Sequence, residues 1–207
     1  SDVEDYLVSC EAEGLSKPTR ARRLSAIRQL YRFAHEEGWR PDNPAIRLAG
    51  PGRDRRLPQT LTTAEVDRLI NASRGLGRTE ADRQRNTCLM ELLYATGLRV
   101  SELVGLPVAE VRVDPRIILV RVKCDKERMV PLSPPARLAI STWLITRDAA
   151  EDLARIERGE RLSAFLFPAR GKEGHLTRQG FHALLKDLAV TAGISPAAVT
   201  PHTLRHA

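Results

Sequence analysis

Long apolar runs are missing from this 207-residue chain. No stretch approaches the roughly 18 consecutive apolar residues that a helical membrane span requires. The opening residues, SDVEDYL, are acidic and polar where a secretory leader would be basic and then apolar. An intracellular protein with no membrane partner is expected. Cysteine is scarce as well: Cys10, Cys88 and Cys124 lie far apart, without Cys-x-x-Cys or Cys/His ligand spacing. That argues against a disulfide framework and a zinc site, and predicts free thiols and no metal. Aromatic residues make up only 4% of the chain. Successive single-stranded bases need aromatic faces to stack on, so a surface of that kind is disfavoured and contact with duplex phosphates is favoured.

Positive charge is plentiful. The net charge is +7 and the pI about 9.8, a balance that favours a polyanionic partner. Its distribution is uneven. Between Leu15 and Leu57 eleven Lys and Arg face four acids, an excess equal to that of the whole chain. A length of 207 residues with 42% hydrophobic content suffices for one large domain or two small ones.

Periodicity sketches the elements. Leu24, Ile27, Leu30, Tyr31 and Ala34 recur at helical spacing and predict a helix over Thr19 to Glu37, with arginines on both flanks of the apolar stripe. Pro41, Pro44 and the run GPGRDRRLP, Gly50 to Pro58, then mark a linker. Thr62 and Glu65 form a capping box, and Leu61 can staple onto Val66, so a helix begins near Thr63. A second helix spans Thr87 to Ala95, buries Leu89, Leu92 and Leu93, and stops at Gly97. Another starts with SELVGL. Ile117 to Val122 and the RMVPL segment read as a hairpin. Thr146 to Leu162 reads as a charged surface helix, Phe165 to Pro168 as a short strand, and Thr177 to Thr191 as an amphipathic helix ended by Gly193.

Three segments could carry chemistry. In TGLRVSEL, Gly97 allows a sharp turn that places Arg99 where Ser101 and Glu102 open a helix. A guanidinium beside a helix N-terminus suits a phosphate, and an arginine simply pairing with Glu102 fits equally well. In VKCDKER, Lys123 and Lys126 bracket the hairpin turn. Either is a solvated charge or a proton donor to a departing alkoxide, and the local chemistry does not choose between them. In TPHTLRHA, Thr200 caps a helix with Pro201 at its first position, which puts His202 and Arg205 on one face, a second phosphate clamp or an incidental pair on a capping segment. His206 points elsewhere.

Taken in order, LLYATGLRVSELVGL, KERMVPLS, HLTRQGFHALLK and TPHTLRHA resemble the tyrosine recombinase (phage integrase) family, and most closely its bacterial Xer recombinases. The resemblance runs from about Ser1 to Ala207. It implies a mainly α fold with a small antiparallel sheet: a helical, SAM-like core-binding domain over residues 1–57 and a mixed α/β catalytic domain over 58–207. It implies site-specific recombination of DNA, of the kind that resolves chromosome dimers, without cofactor or metal. Arg99, His202 and Arg205 would surround the scissile phosphate. Lys123, the first lysine of the family's hairpin pair, would protonate the leaving 5′ oxygen; the glycines that flank it in the family are Val122 and Cys124 here. Arg20, Arg22, Arg23, Arg28, Lys126 and Arg178 would contact DNA.

The implied partners are a duplex recombination site, a sister recombinase or a second copy in a tetrameric synapse, and a DNA translocase as activator. The implied location is the cytoplasm, at the nucleoid. The family's tyrosine nucleophile belongs a few dozen residues beyond His202, whereas Tyr6, Tyr31 and Tyr94 all precede Arg99. A fragment that binds duplex DNA and does not cleave it is therefore expected, one that also begins partway into the first domain. The rival readings are a phage or integron integrase, a non-catalytic DNA-binding protein that keeps the clamp, and a type IB topoisomerase.

Overall fold

The computed structural model describes residues 2–52, 60–114, 116–122 and 126–205. Contacts divide the chain into two compact units, Ser1–Leu57 and Pro58–Ala207, and the linker expected at Gly50 to Pro58 falls mostly outside the described residues.

The first unit is built on helices α1 (Asp2–Ala12) and α2 (Lys17–Glu36). Ser16 caps α2, its hydroxyl accepting from the Thr19 amide at 3.4 Å, and Pro18 supplies the fixed φ that suits a first turn. The helix therefore starts two residues before the periodicity places it. Its buried stripe is narrower than expected: Leu24 and Ala34 are buried, Ile27 and Tyr31 half-buried, and Leu30 is 61% exposed. At 100° per residue Leu30 lies on the rim of the stripe. Val3 and Cys10 of α1 and Ala45 complete a small core.

In the second unit α3 (Thr63–Gly75) opens with the expected box: Thr62 Oγ1 accepts from the Glu65 amide at 3.2 Å and Glu65 Oε2 accepts from the Thr62 amide at 2.8 Å. Leu61 and Val66 are both buried, as a staple requires. Helix α4 (Glu80–Thr96) begins two turns earlier than its apolar residues suggest, because Thr79 and Asp82 form a second capping box in a polar stretch whose one apolar residue is Ala81. It is the central helix. Cys88, Leu89, Met90, Leu92 and Leu93 are all buried, and α4 packs against α3 and against three later helices. Gly97 ends it at φ 56°, the left-handed conformation that a Cβ penalises.

Helix α5 (Val100–Val104) and a 3-10 helix at Val108–Val111 follow, then strands β1 (Ile117–Val122) and β2 (Lys126–Pro131). The strands pair antiparallel, Ile117 opposite Pro131 and Val122 opposite Lys126. Ile118 and Val120 are buried on the inner face.

Helix α6 (Pro134–Arg158) corrects the reading of Thr146 to Leu162 at both ends. Ser133 caps it and Pro134 occupies the first position, where proline costs no hydrogen bond; Gly159 stops it at φ 65°. It is also more than a surface helix, since Ala136, Ala139, Ile140, Trp143 and Arg147 are buried.

The strand expected at Phe165 to Pro168 is absent. Single bridges join Phe165 to Pro107 and Pro168 to His175, while side chains of α6 take the carbonyls a strand partner would use. Arg147 donates to Phe165 O at 3.0 Å and Ser163 O at 2.6 Å, and Trp143 Nε1 donates to Leu166 O at 2.8 Å. Helix α7 (Arg178–Thr191), capped by Thr177, and helix α8 (Pro201–Arg205) complete the chain, and α8 packs on α4.

Candidate functional site

The turn between α4 and α5 organises the site. After the left-handed Gly97, Leu98 is buried and Arg99 emerges at the surface. The Arg99 amide donates to Glu102 Oε2 at 2.8 Å and its Nη1 donates to Glu102 Oε1 at 2.9 Å. The bland alternative, pairing with Glu102, is thus real. It occupies one arm of the fork: the Arg99 side chain stays 56% exposed while that of Glu102 is 11% exposed. Burial pushes the Glu102 pKa up. The Arg99 amide and guanidinium, with Arg128, outweigh that and hold it below the ordinary carboxylate range. At neutral pH Glu102 is a carboxylate. Helix α5 is one short turn of five residues, so the local field comes from the guanidinium more than from a helix dipole.

Arg99, Ser101, Glu102, Glu110 and Arg178 line a cleft of about 780 Å³. Arg178, exposed at the start of α7, thereby joins Arg99 although the two are far apart in sequence. Arg205 reaches the same turn from the other direction: its Cγ lies 3.6 Å from where a Cβ on Gly97 would stand. Thr200 positions α8, accepting from the Thr203 amide at 3.1 Å. His202 is exposed on α8, three residues before Arg205. His202 and Arg205 are not among the residues that line the cleft itself; α8 comes near the Arg99 turn through the approach of Arg205 Cγ to the Gly97 Cβ position.

The remaining expected residues divide. Lys123 lies outside the described residues, and Lys126 is placed only by its backbone, opposite Val122. In the first unit Arg20 pairs with Glu11 at 2.5 Å and its side chain is 13% exposed. Arg23 donates to Tyr6 Oη at 3.0 Å and Cys10 Sγ at 3.2 Å. Arg28 donates to the Leu48 carbonyl. Arg22 alone of the four is exposed with no partner among the described residues. Cys10 and Cys88 are buried free thiols, and Cys124 is outside the described residues.

Arg128 was missed by the sequence reading. Its Nη2 donates to Glu102 Oε2 at 3.1 Å. The signal was present: Arg128 and Val130 share a strand face, and Val130 packs against the core, so an arginine on that face needs a carboxylate. Tyr94 opens onto a different hollow, beside Asp67 and Glu91. Among the described residues no group of three or more His, Cys, Asp and Glu is placed to hold a metal, and no helix is long and apolar enough to cross a membrane.

Comparison with known proteins places this geometry. Residues 59–207 match the phage integrase family, and residues 1–38 match the phage integrase N-terminal SAM-like domain. Tyrosine recombinase XerD of Bradyrhizobium diazoefficiens is 46% identical over 212 residues, covering 99% of this chain and 66% of the relative. Tyrosine recombinase XerD of Caulobacter vibrioides is 43% identical over 205 residues, covering 99% and 65%. The chain thus spans just under two thirds of these relatives' length. Among solved structures, XerA recombinase is 27% identical with a TM-score of 0.57, covering 99% of this chain and 65% of that one. XerH recombinase, in a post-cleavage complex with its palindromic difH substrate, is 22% identical with a TM-score of 0.73, covering 99% and 56%. With its integrase domain matched from residue 59 onward and its SAM-like domain before it, the chain belongs to the phage integrase family.

Proposed function

We propose that this chain supplies the phosphate-binding part of a tyrosine-type, site-specific DNA recombinase of the Xer kind. The observation that carries the reading is the approach of Arg205 Cγ to the Cβ position of Gly97, two residues before Arg99, which shares a cleft with Arg178. In the reaction a tyrosine hydroxyl attacks the scissile phosphorus, the bond to the 5′ oxygen breaks, and a 3′-phosphotyrosyl link forms. A 5′ hydroxyl from the partner strand then displaces the tyrosine, so bond energy is conserved without ATP. Charge gathers on the nonbridging oxygens in the transition state. Planar, permanently charged forks meet that charge at two oxygens at once.

Arg99, Arg205 and His202 hold the phosphate in this scheme, and Lys123 gives its proton to the leaving 5′ oxygen. The attacking tyrosine is none of Tyr6, Tyr31 and Tyr94. Arg22, Lys126 and Arg178 contact flanking phosphates of the duplex, with Arg20, Arg23 and Arg28 shaping the surface that Arg22 crowns. The substrate is a duplex recombination site, the partners are a sister recombinase or further copies in a tetrameric synapse with a DNA translocase as activator, and the setting is the nucleoid in the cytoplasm. Chromosome dimer resolution is the role, supported by similarity to two XerD proteins above 40% identity.

The test is covalent trapping. Protein expressed from the whole reading frame is incubated with a nicked suicide duplex carrying its site and run on a denaturing gel. A protein–DNA adduct that Arg99→Ala removes is the expected result. Site-specific binding without any adduct would instead favour a DNA-binding protein that has kept the clamp and lost the chemistry, and relaxation of supercoils at no specific site would favour a topoisomerase.

A further inference from the structure

Glu102 is a nearly buried carboxylate shared by two guanidinium groups from segments far apart in sequence. Its Oε1 takes Arg99 Nη1 at 2.9 Å; its Oε2 takes the Arg99 amide at 2.8 Å and Arg128 Nη2 at 3.1 Å. Arg128 stands on β2 opposite Val120, two residues beyond the Lys126 end of the hairpin. Its Nε is buried and makes no hydrogen bond, and among the described residues the hydrogen bond its guanidinium makes is to Glu102. An ion pair between exposed side chains would be worth little, but this carboxylate is 11% exposed and its partner Arg99 faces the cleft.

A lone Arg99–Glu102 pair would be electrically neutral, and the carboxylate would draw the guanidinium back from an incoming phosphate. Adding Arg128 leaves the trio with one net positive charge and divides the pull of the carboxylate between two cations. We infer that Arg128 is a positioning residue: through Glu102 it fixes the orientation of Arg99 and ties the hairpin to the turn that carries it. This rests on the recombinase reading above. Among the described residues, the other charged or titratable groups near this end of the cleft are Glu110 of the 3-10 helix and Arg178 of α7, both in the cleft lining, and His175, whose Nε2 is 3.7 Å from the Cβ position of Gly105.

The experiment is single-turnover strand cleavage on the suicide duplex, from about pH 5 to about pH 8, using protein expressed from the whole reading frame. Arg128→Gln slows cleavage by about a hundredfold, the scale of a misplaced catalytic group, while site binding stays within about twofold. The acid limb of its rate profile moves to higher pH, because Glu102 has lost a cation that favours its charged form. Arg128→Lys keeps the charge and restores the limb, but it lacks the planar fork and recovers only part of the rate. Combining Arg128→Gln with Glu102→Gln is no slower than Glu102→Gln alone, since one acts through the other.

A uniform loss of rate at every pH, or additive losses in the double variant, would overturn the inference by reducing Arg128 to a structural brace. If Arg128→Gln does not fold, Arg128→Lys decides: a wild-type rate with the lysine sinks the positioning role. Wild-type protein that forms no adduct overturns the recombinase reading and this inference together. An active wild type with an equally active Arg128→Gln overturns this inference alone.

Discussion

The arginines of α2 and those around the Gly97 turn are the same residue type put to opposite uses. In the first unit Arg20, Arg23 and Arg28 spend their donors on Glu11, on Tyr6 and Cys10, and on the Leu48 carbonyl. Of the four, Arg22 is left outward with no partner among the described residues. In the second unit Arg99 is held by one arm and keeps 56% of its side chain exposed, while Arg178 is exposed in the same cleft and Arg205 is exposed beside the Gly97 turn. A count of charges therefore overstates one region and understates the other. What matters is how many donors remain after the fold has been held together.

The largest effect that could break this contrast is on catalysis. Arg99→Ala and Arg205→Ala should each slow strand cleavage by about a hundred- to a thousandfold, the scale for removing one preorganised donor from a developing oxyanion. Both should leave site affinity nearly intact, because other basic residues supply most phosphate contacts. Single-turnover trapping and a gel-shift titration on the same duplex measure the two quantities. Normal cleavage by both variants would sink the site assignment.

Gly97→Ala separates geometry from charge. Its φ of 56° penalises any Cβ, by about 1 kcal/mol or somewhat more. The nearest atom a Cβ would meet, Arg205 Cγ at 3.6 Å, is at ordinary contact distance, so the cost should be backbone strain without a clash. Chemical denaturation should show a lower midpoint with an unchanged slope. A loss several times larger would mean that the turn is held more tightly than this.

The sequence made some helix boundaries legible from local caps alone. Thr62 with Glu65, Thr177 and Gly97 are read correctly because each satisfies a backbone group locally. Failures came where a local cap lacks a neighbouring apolar period and where tertiary partners decide. The start of α4 sits in a polar stretch without apolar period, and the Thr79–Asp82 box was overlooked. The segment Phe165 to Pro168 has strand composition, yet its first two carbonyls accept from Arg147 and Trp143 of α6, partners 18 and 23 residues away that no local pattern announces. The candidate site shows the same division. Arg99 with Glu102 could be read from spacing, whereas Arg128 on the same carboxylate depends on strand register, and the approach of Arg205 to Gly97 depends on how α8 packs on α4.

The contrast within α2 can be tested directly on DNA. Each phosphate contact releases about one counterion, so Arg22→Ala should weaken duplex binding and lower the slope of log affinity against log salt by about one. Arg23→Ala should leave that slope unchanged and instead lower the unfolding midpoint, because its guanidinium joins α2 to Tyr6 and Cys10 of α1. Fluorescence anisotropy across a salt series, paired with thermal unfolding, reads both. If Arg23→Ala lowers the salt slope as much as Arg22→Ala does, its donors are shared with DNA and the division drawn here fails.

The smallest effect carries the contrast over to two acids. Glu102 has cations on both oxygens, and its pKa is held below 4.5. Burial raises the pKa of Glu91 above 4.5, and Arg74, a single 3.6 Å partner with a 60% exposed side chain, does not offset that. The signs of their pH effects are therefore opposite. A depressed carboxylate contributes stability above its unfolded pKa and loses it as pH falls through the folded value. A raised one makes the native state bind its proton more tightly than the unfolded chain does, so stability declines as pH rises from 4.5 through the folded value. Denaturation midpoints measured from about pH 4 to about pH 7 should show Glu91→Gln gaining on wild type as pH rises, and Glu102→Gln falling behind it over the same range. If Glu91→Gln is destabilising at neutral pH, the Arg74 pair outweighs desolvation, and Glu91 belongs with Glu102 among the carboxylates that the fold keeps charged by design.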